Sequence, residues 1–198
     1  MKVQEQKYIN FRNAVMIIGL SVAAYILQMV ATVPFAANPM TLAFFSTPFG
    51  MIVGGAVFVL VMNKAPYRGT LFLYTVVPSL MLLFMGTPYV VLIFAIGAIV
   101  AEMVFISDST RTPAKLTIAY IIYAIFWGLG TYTPALLQKE ALLEKAMNLG
   151  GEEVVALYDK LYSLPYVCLA IFVTAIAAVI GVYIGTKIFK KHFVRAGI

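Results

Sequence analysis

Residues 95–106 read AIGAIVAEMVFI, eleven uncharged residues and one carboxylate, Glu102. They belong to an apolar run from about 89 to 106, which is long enough to cross the ~30 Å hydrocarbon core of a bilayer as a helix. A charged side chain is costly in that environment, and it is usually either paired or functional. The stretch therefore predicts a membrane span, and the role of Glu102 within it has to be explained.

The whole chain has the composition of an integral membrane protein. Of its 198 residues, 63% are hydrophobic and 11% are charged, which lies outside the range of soluble domains. Apolar runs bounded by Pro, Gly and charged residues occur at about 14–33, 40–62, 70–86, 89–106, 116–138 and 164–186. We therefore predict an all-α integral membrane bundle of six transmembrane helices in a single domain over residues 1–198. The third run is the shortest. If one of the six runs is re-entrant and does not cross the membrane, we expect it to be this one.

Lys and Arg residues are distributed unevenly between the connections. Eleven of the fourteen lie in the two tails and in the loops NKAPYRG and SDSTRTPAK, whereas VPFAANP and GTP carry none. The remaining three lie in the segment 138–163, together with five acids. Short loops rich in Lys and Arg stay in the cytoplasm, so both termini are predicted to be cytoplasmic and 139–163 to form an extracellular amphipathic loop. Topology thus explains the net charge of +6, and no nucleic-acid partner is expected.

The sequence lacks the groups that catalysis requires. The one histidine, His192, lies in the basic tail, the single cysteine, Cys168, lies in an apolar run, and no span contains a pair of acids. The run GVYIGTK at 181–187 does not have the spacing of a phosphate-binding loop. We therefore expect no enzyme activity, no catalytic residue, no metal site and no cofactor.

Glu102 is predicted to lie in the inner quarter of its span, about four residues before the cytoplasmic loop. At that depth its carboxylate can reach the interface or pair with Arg68, Arg111 or Lys115. A structural or interfacial ion pair is therefore the first interpretation. A proton or coupling-ion site and a contact with a partner protein are the alternatives, although no other span contains an ionisable partner.

The first span contains a pair of small residues, Gly19 and Ala23, four positions apart in MIIGLSVAAYILQ. Such a pair forms a helix face that another helix can approach closely. That helix belongs either to a partner protein or to the bundle itself.

The outer halves of the spans and the outer loops contain aromatic and polar residues that suit the binding of a flat solute. Tyr and Trp also anchor membrane interfaces without any ligand, so each has that second interpretation. Between the last two spans, EALLEKAM and EEVVALYDKLY flank Gly150 and Gly151, which predicts two short amphipathic helices that either cap the outer mouth or lie on the membrane surface. The candidate substrate-binding residues are Asn38, Tyr89, Trp127, Thr131, Tyr132, Tyr162 and Tyr166.

Six spans, cytoplasmic termini and a small-residue face on the first helix resemble the substrate-binding S component of energy-coupling factor transporters. The stretches GGAVFVLVMNKAPYRG (54–69) and GAIVAE (97–102) are similar to the Trep_Strep group of such proteins. The resemblance implies a prokaryotic, multi-pass protein of the cell (plasma) membrane. It also implies a shared transmembrane coupling subunit that contacts Gly19 and Ala23, where Gly replaces the first Ala of the AxxxA pattern, and two cytoplasmic ATPase subunits.

By this resemblance the chain is the high-affinity small-solute-binding subunit of an ATP-driven importer. Its implied substrate is a vitamin or related micronutrient. Membrane lipid surrounds the subunit. The alternative function is a self-sufficient small secondary transporter or channel for a small organic solute, which requires coupling groups or a continuous polar path. A membrane scaffold without a ligand is the third possibility. The sequence does not identify the solute.

Overall fold

All regular structure in the described residues is helical. The computed structural model describes residues 9–85, 87–106 and 110–194. Short 3₁₀ or π turns extend several helix ends, among them Leu42–Ser46 and Leu80–Met85. The helices of ten or more residues are α1 (Phe11–Thr32), α2 (Thr47–Lys64), α3 (Thr70–Ser79), α4 (Pro88–Glu102), α5 (Pro113–Leu137), α6 (Lys139–Leu161) and α7 (Leu164–Phe189).

The predicted all-α membrane bundle is confirmed. In the part of the chain that the structure describes, five segments are long and apolar enough to cross a membrane, namely Phe11–Ala37, Pro39–Lys64, Pro88–Phe105, Pro113–Leu137 and Leu164–His192. The third predicted span corresponds to a shorter apolar segment, Thr70–Leu83. It is short because α3 ends at Ser79, directly after Pro78, and continues only as a 3₁₀ turn.

Six of these helices form a closed ring. Going round it, α1 contacts α2, α2 contacts α7, α7 contacts α5, α5 contacts α4, α4 contacts α3, and α3 returns to α1. Helix α6 lies outside the ring and contacts its sequence neighbours α5 and α7.

The two ends of the ring differ in charge. The basic end is defined by Arg12, Lys64, Arg68, Arg111, Lys115, Lys187, Lys190 and Lys191. The cations Lys2, Lys7 and Arg195, which the sequence places on the same side, lie outside the described residues. The opposite end includes the turns around residues 33–46 and 80–85, as well as α6. That the basic end faces the cytoplasm stays a prediction.

Helices α2 and α7 approach each other until their backbones touch. A Cβ atom on Gly55 would lie 2.4 Å from the carbonyl carbon of Gly181, and one on Gly181 would lie 2.6 Å from the carbonyl oxygen of Met51. Only glycine fits at such distances, and small residues are the usual means of close helix packing in membranes. This contact fixes one side of the ring.

Helix α6 is a helical hairpin. Its backbone leaves the helical region at Gly150 and at Gly151, where φ is 71°. The Lys139 ammonium lies 2.6 Å from the Asp159 carboxylate, although these residues would be about 30 Å apart along a straight helix. The two short helices expected on either side of the Gly pair are therefore present as two arms that fold back on each other.

Candidate solute-binding site

A cavity of about 340 Å³ lies inside the ring, towards the end opposite the basic one. This volume falls within the range of small-molecule sites, roughly 300–1,000 Å³. Helices α1, α4 and α5 and the turn after α3 form its walls. The lining residues are Tyr25, Leu82, Thr87, Val90, Phe94, Trp127, Gly130, Thr131 and Pro134.

The cavity lies at the level where α3 has already ended. Leu82 and Thr87, which line it, come from the 3₁₀ turn after α3 and from the residue before α4. A full-length third span would place another turn of helix and its side chains at this level. The short third helix therefore leaves room inside the ring.

Aromatic rings form one wall of the cavity. The rings of Phe94 and Trp127 stack with centroids 4.5 Å apart and an interplanar angle of 8°. Tyr25 meets Trp127 edge-on at 5.8 Å. Gly130 makes room for this arrangement, because a Cβ atom there would lie 2.2 Å from the ring of Phe94. The result is a rigid aromatic surface against which a flat ring can stack.

A narrower space, which we call the inner cleft, adjoins the cavity at Tyr25, a residue that lines both. The inner cleft has no room for a water molecule. Its walls are rich in polar atoms, although it lies deep in the ring. The lining residues are Ser21, Ala24, Tyr25, Gln28, Tyr74, Pro78 and Tyr123.

The amide of Gln28 is positioned by its surroundings. A Cβ atom on Gly54 of α2 would lie 1.9 Å from Nε2 of Gln28, so this glycine makes the space in which the amide lies. The Tyr123 hydroxyl is within hydrogen-bonding reach of the same side chain. Together they provide a neutral donor and acceptor pair in the inner cleft.

Two of the seven predicted substrate-binding residues line the cavity. Trp127 forms part of its aromatic wall, and Thr131 lies one helical turn further along α5. The hydroxyl of Thr131 donates to the Trp127 carbonyl at 2.8 Å, which leaves its methyl group and the two lone pairs of its oxygen for other contacts. Tyr89 is close in sequence to the lining residue Val90, and its buried hydroxyl has no hydrogen-bond partner among the described residues.

Three other predicted residues form a separate cluster between α5 and α7. The Tyr132 hydroxyl donates to the carbonyl of Ala43, and the rings of Tyr132 and Tyr162 lie 6.4 Å apart. Tyr166 packs on Phe44 at 5.9 Å. The structure thus gives these tyrosines packing contacts at the end of the ring that carries α6, and none of them lines the cavity. Burial and the neighbouring Tyr158 raise the pKa of Tyr162, so its phenol stays neutral.

Asn38 has a local role in the chain. Its side chain accepts a hydrogen bond from the backbone N–H of Met40 at 2.8 Å and caps the helical turn that begins at Pro39. It is exposed and does not line the cavity.

The residues of α1, α3 and α4 that complete the site were not predicted from the sequence. Tyr25 and Phe94 line the cavity, and Gln28 and Tyr74 line the inner cleft. A signal was present, because Tyr25 and Gln28 are three residues apart in the first span and polar residues in a span tend to face the bundle interior.

Gly19 and Ala23 face away from the ring. Both are exposed, and a Cβ atom built on Gly19 would meet no other atom within 4 Å. Ser21 and Ala24, on the opposite side of α1, are buried. The small-residue face is therefore not used for packing within this bundle.

Glu102 binds the beginning of helix α3. Its two carboxylate oxygens accept hydrogen bonds from the backbone N–H groups of Gly69 and Leu71, each at 3.0 Å. Gly69 has φ 83°, in the left-handed region that favours glycine. An acceptor with negative charge at this position satisfies free N–H groups and interacts favourably with the helix dipole. Glu102 thus joins the end of α4 to the start of α3.

Arg111, in the loop after α4, makes further contacts at the junction between the end of α4 and the start of α3. Its guanidinium donates to the Tyr67 carbonyl at 3.2 Å and lies 3.7 Å from the centre of the Phe105 ring. Burial lowers the pKa of Arg111, and the negative charge of Glu102 opposes that shift. Arg68, another of the predicted partners of Glu102, is exposed. The structural contacts of Glu102 are therefore made mainly to backbone amides, where the sequence analysis expected an Arg side chain.

Comparison with known proteins identifies the family. Residues 11–195 match the family described as hypothetical bacterial integral membrane protein (Trep_Strep). No curated protein and no solved structure matches the chain. The chain belongs to the Trep_Strep family and is a multi-pass bacterial membrane protein.

Proposed function

We propose that this Trep_Strep protein is the solute-binding membrane subunit of an ATP-driven importer of the energy-coupling factor type. The observation that carries the proposal is the cavity inside the ring, with its stacked Phe94 and Trp127 wall. Its volume and aromatic surface suit a small, flat organic molecule such as a vitamin or related micronutrient.

The cavity favours a binding subunit over a self-sufficient secondary transporter. A secondary transporter needs a coupling group near the midplane that binds a proton or an ion. None of the described residues that line the cavity or the inner cleft is ionised at neutral pH. Both oxygens of Glu102 accept backbone hydrogen bonds at the basic end, away from the cavity. Energy for transport would then come from partner proteins.

The outward face of α1 supports a docking role. Gly19 and Ala23 are exposed and leave a shallow groove between larger residues such as Val15 and Leu27. A second helix can approach closely there, which is how helices associate in lipid. We assign this face to the shared transmembrane coupling subunit, which in turn would bind two cytoplasmic ATPase subunits.

Mass spectrometry of the purified protein tests solute binding. We expect a small molecule to co-purify with the wild-type chain and to be lost from the Thr131→Trp variant, because the larger side chain fills the cavity. Thr133→Trp is the matched control. It lies two residues further along α5, its hydroxyl also donates to a carbonyl four residues earlier, and it does not line the cavity. If no molecule is bound to the wild type, or if both variants retain it equally, the cavity is not the binding site.

The docking face is tested by replacing Gly19 and Ala23 together with Leu. The variant should fold and bind solute like the wild type, because exposed substitutions away from packing contacts usually change stability by less than about 0.5 kcal/mol. It should lose co-purification with the coupling subunit and lose ATP-dependent uptake. Cys168→Leu, a small exposed residue on α7, is the control. Normal assembly and uptake by the double variant would contradict the docking assignment.

A further inference from the structure

The hydroxyl of Tyr74 is buried in the inner cleft without a partner. Tyr74 is 2% exposed, its hydroxyl makes no hydrogen bond to any residue that the structure describes, and the cleft is too narrow for a water molecule to supply one. Buried polar groups in proteins are almost always hydrogen-bonded. An orphaned hydroxyl at this depth therefore indicates a group that is satisfied only when something else is present.

Two further polar groups near Tyr74, one in a side chain and one in the backbone, lack a regular hydrogen bond. The neighbouring Thr75 hydroxyl is also buried and has no hydrogen-bond partner in the part of the chain that the structure describes. Pro78 has no N–H to donate to the Tyr74 carbonyl four residues earlier, and it lies where α3 gives way to a 3₁₀ turn. One helix hydrogen bond is therefore missing beside Tyr74, so fewer backbone hydrogen bonds oppose the small widening that the cleft needs to admit a polar group.

The surroundings of Tyr74 are polar but uncharged. The cleft offers the Gln28 amide and the hydroxyls of Tyr25 and Tyr123, and among the described residues no Asp, Glu, Lys, Arg or His lines either the cleft or the cavity. An ion buried there would lose its hydration and gain no opposite charge, which is very unfavourable. The site as a whole therefore discriminates against charged solutes.

We infer that the inner cleft is the second half of the solute site and that the solute is an aromatic molecule with an uncharged hydrogen-bonding group, such as a carboxamide. Its ring lies against Phe94 and Trp127 in the cavity, and the polar group passes Tyr25 to reach the Tyr74 hydroxyl and the Gln28 amide. This inference rests on the proposed solute-binding function and adds the chemical class of the solute.

Four small probes of similar size test this inference: benzamide, benzoate, benzylammonium and toluene. Binding is measured in nanodiscs from the fluorescence of Trp127, the chain's single tryptophan, with empty nanodiscs used to correct free concentrations. We expect benzamide to bind at least about tenfold more tightly than either charged probe. Tyr74→Phe should weaken benzamide binding by about 3- to 10-fold and leave toluene binding unchanged.

A stability measurement separates solute binding from a structural role. Because Tyr74→Phe removes an unsatisfied hydroxyl, the variant should melt no lower than the wild type while it binds benzamide more weakly. Tyr183→Phe, on the exposed side of α7, should change neither property.

Several results would overturn the inference. Tighter binding of benzoate or benzylammonium, or unchanged benzamide binding by Tyr74→Phe, would refute the uncharged polar subsite while leaving the cavity as a solute site. Equal weakening of benzamide and toluene with a lower melting temperature would make Tyr74 structural. If none of the four probes binds, the assigned chemical class of the solute is wrong, whereas the solute-binding function itself stands or falls with the co-purification measurement described above.

Discussion

Replacement of Glu102 by Gln tests whether this carboxylate holds the bundle together or carries protons. The carboxylate accepts two hydrogen bonds of 3.0 Å from the backbone N–H groups of Gly69 and Leu71. Hydrogen bonds to a charged group contribute about 1.5–3 kcal/mol each, and neutral ones about 0.5–1.5 kcal/mol. Gln keeps one acceptor oxygen but places an NH₂ group against the second N–H.

The expected loss of stability in Glu102→Gln is therefore about 2–5 kcal/mol, since two charged bonds are exchanged for one neutral bond. For a chain of this length that loss corresponds to a melting temperature lower by roughly 4–20 °C. Thermal unfolding of the purified protein in detergent measures it. Glu140→Gln makes the same chemical change in the first turn of α6, where the residue is exposed, and should cost no more than about 1 kcal/mol.

The opposite pattern of results would refute this reasoning. If Glu102→Gln melts like the wild type but abolishes solute uptake, the carboxylate is a coupling site and its contacts with α3 are incidental. If Glu140→Gln is destabilised as much as Glu102→Gln, the two hydrogen bonds across the helices do not carry the effect.

Three further predictions concern the cavity, the helix contacts and the topology. Trp127→Ala should weaken solute binding by about 1–3 kcal/mol, measured by calorimetry on a sample shown to be folded, and unchanged affinity would return Trp127 to a packing role. Gly181→Ala should lower the free energy of unfolding by about 1–3 kcal/mol, because the new methyl group would lie 2.6 Å from the Met51 carbonyl oxygen. Gly19→Ala, which meets no neighbour, should not lower it. Reporter fusions should place position 65 and the C-terminus in the cytoplasm and position 150 outside, and an external C-terminus would contradict the orientation.

The membrane-spanning helices were predictable because each one corresponds to a continuous apolar run in the sequence. Each apolar run had to become a helix that satisfies its own backbone in lipid, so the apolar helical segments begin within three residues of the predicted runs and end within six. The shortness of the third span also followed from its sequence. What hydropathy could not show was the order of the helices round the ring, and it is this order that brings α1 next to α3 and α4 next to α5.

The site was less predictable because its residues meet only in three dimensions. Trp127 and Thr131 were found because aromatic and hydroxyl residues in an outer half-span are conspicuous. Tyr132 and Tyr166 have the same appearance in the sequence but pack against the segment around Ala43 and Phe44. Likewise, the partners of Glu102 are backbone amides, which no pattern of side-chain charges can indicate.

The backbone contact between α2 and α7 has a mechanical consequence. Interdigitated side chains can change rotamer and let two helices slide, whereas at Gly55 and Gly181 no side chain lies between the backbones. We therefore expect α2 and α7 to resist sliding past each other. On the other side of the ring, α3 contains Pro78 and ends beside the cavity in a 3₁₀ turn. We therefore expect α1, α3 and α4 to bend when the cavity is loaded and unloaded. We expect α2 and α7 to keep their positions relative to each other.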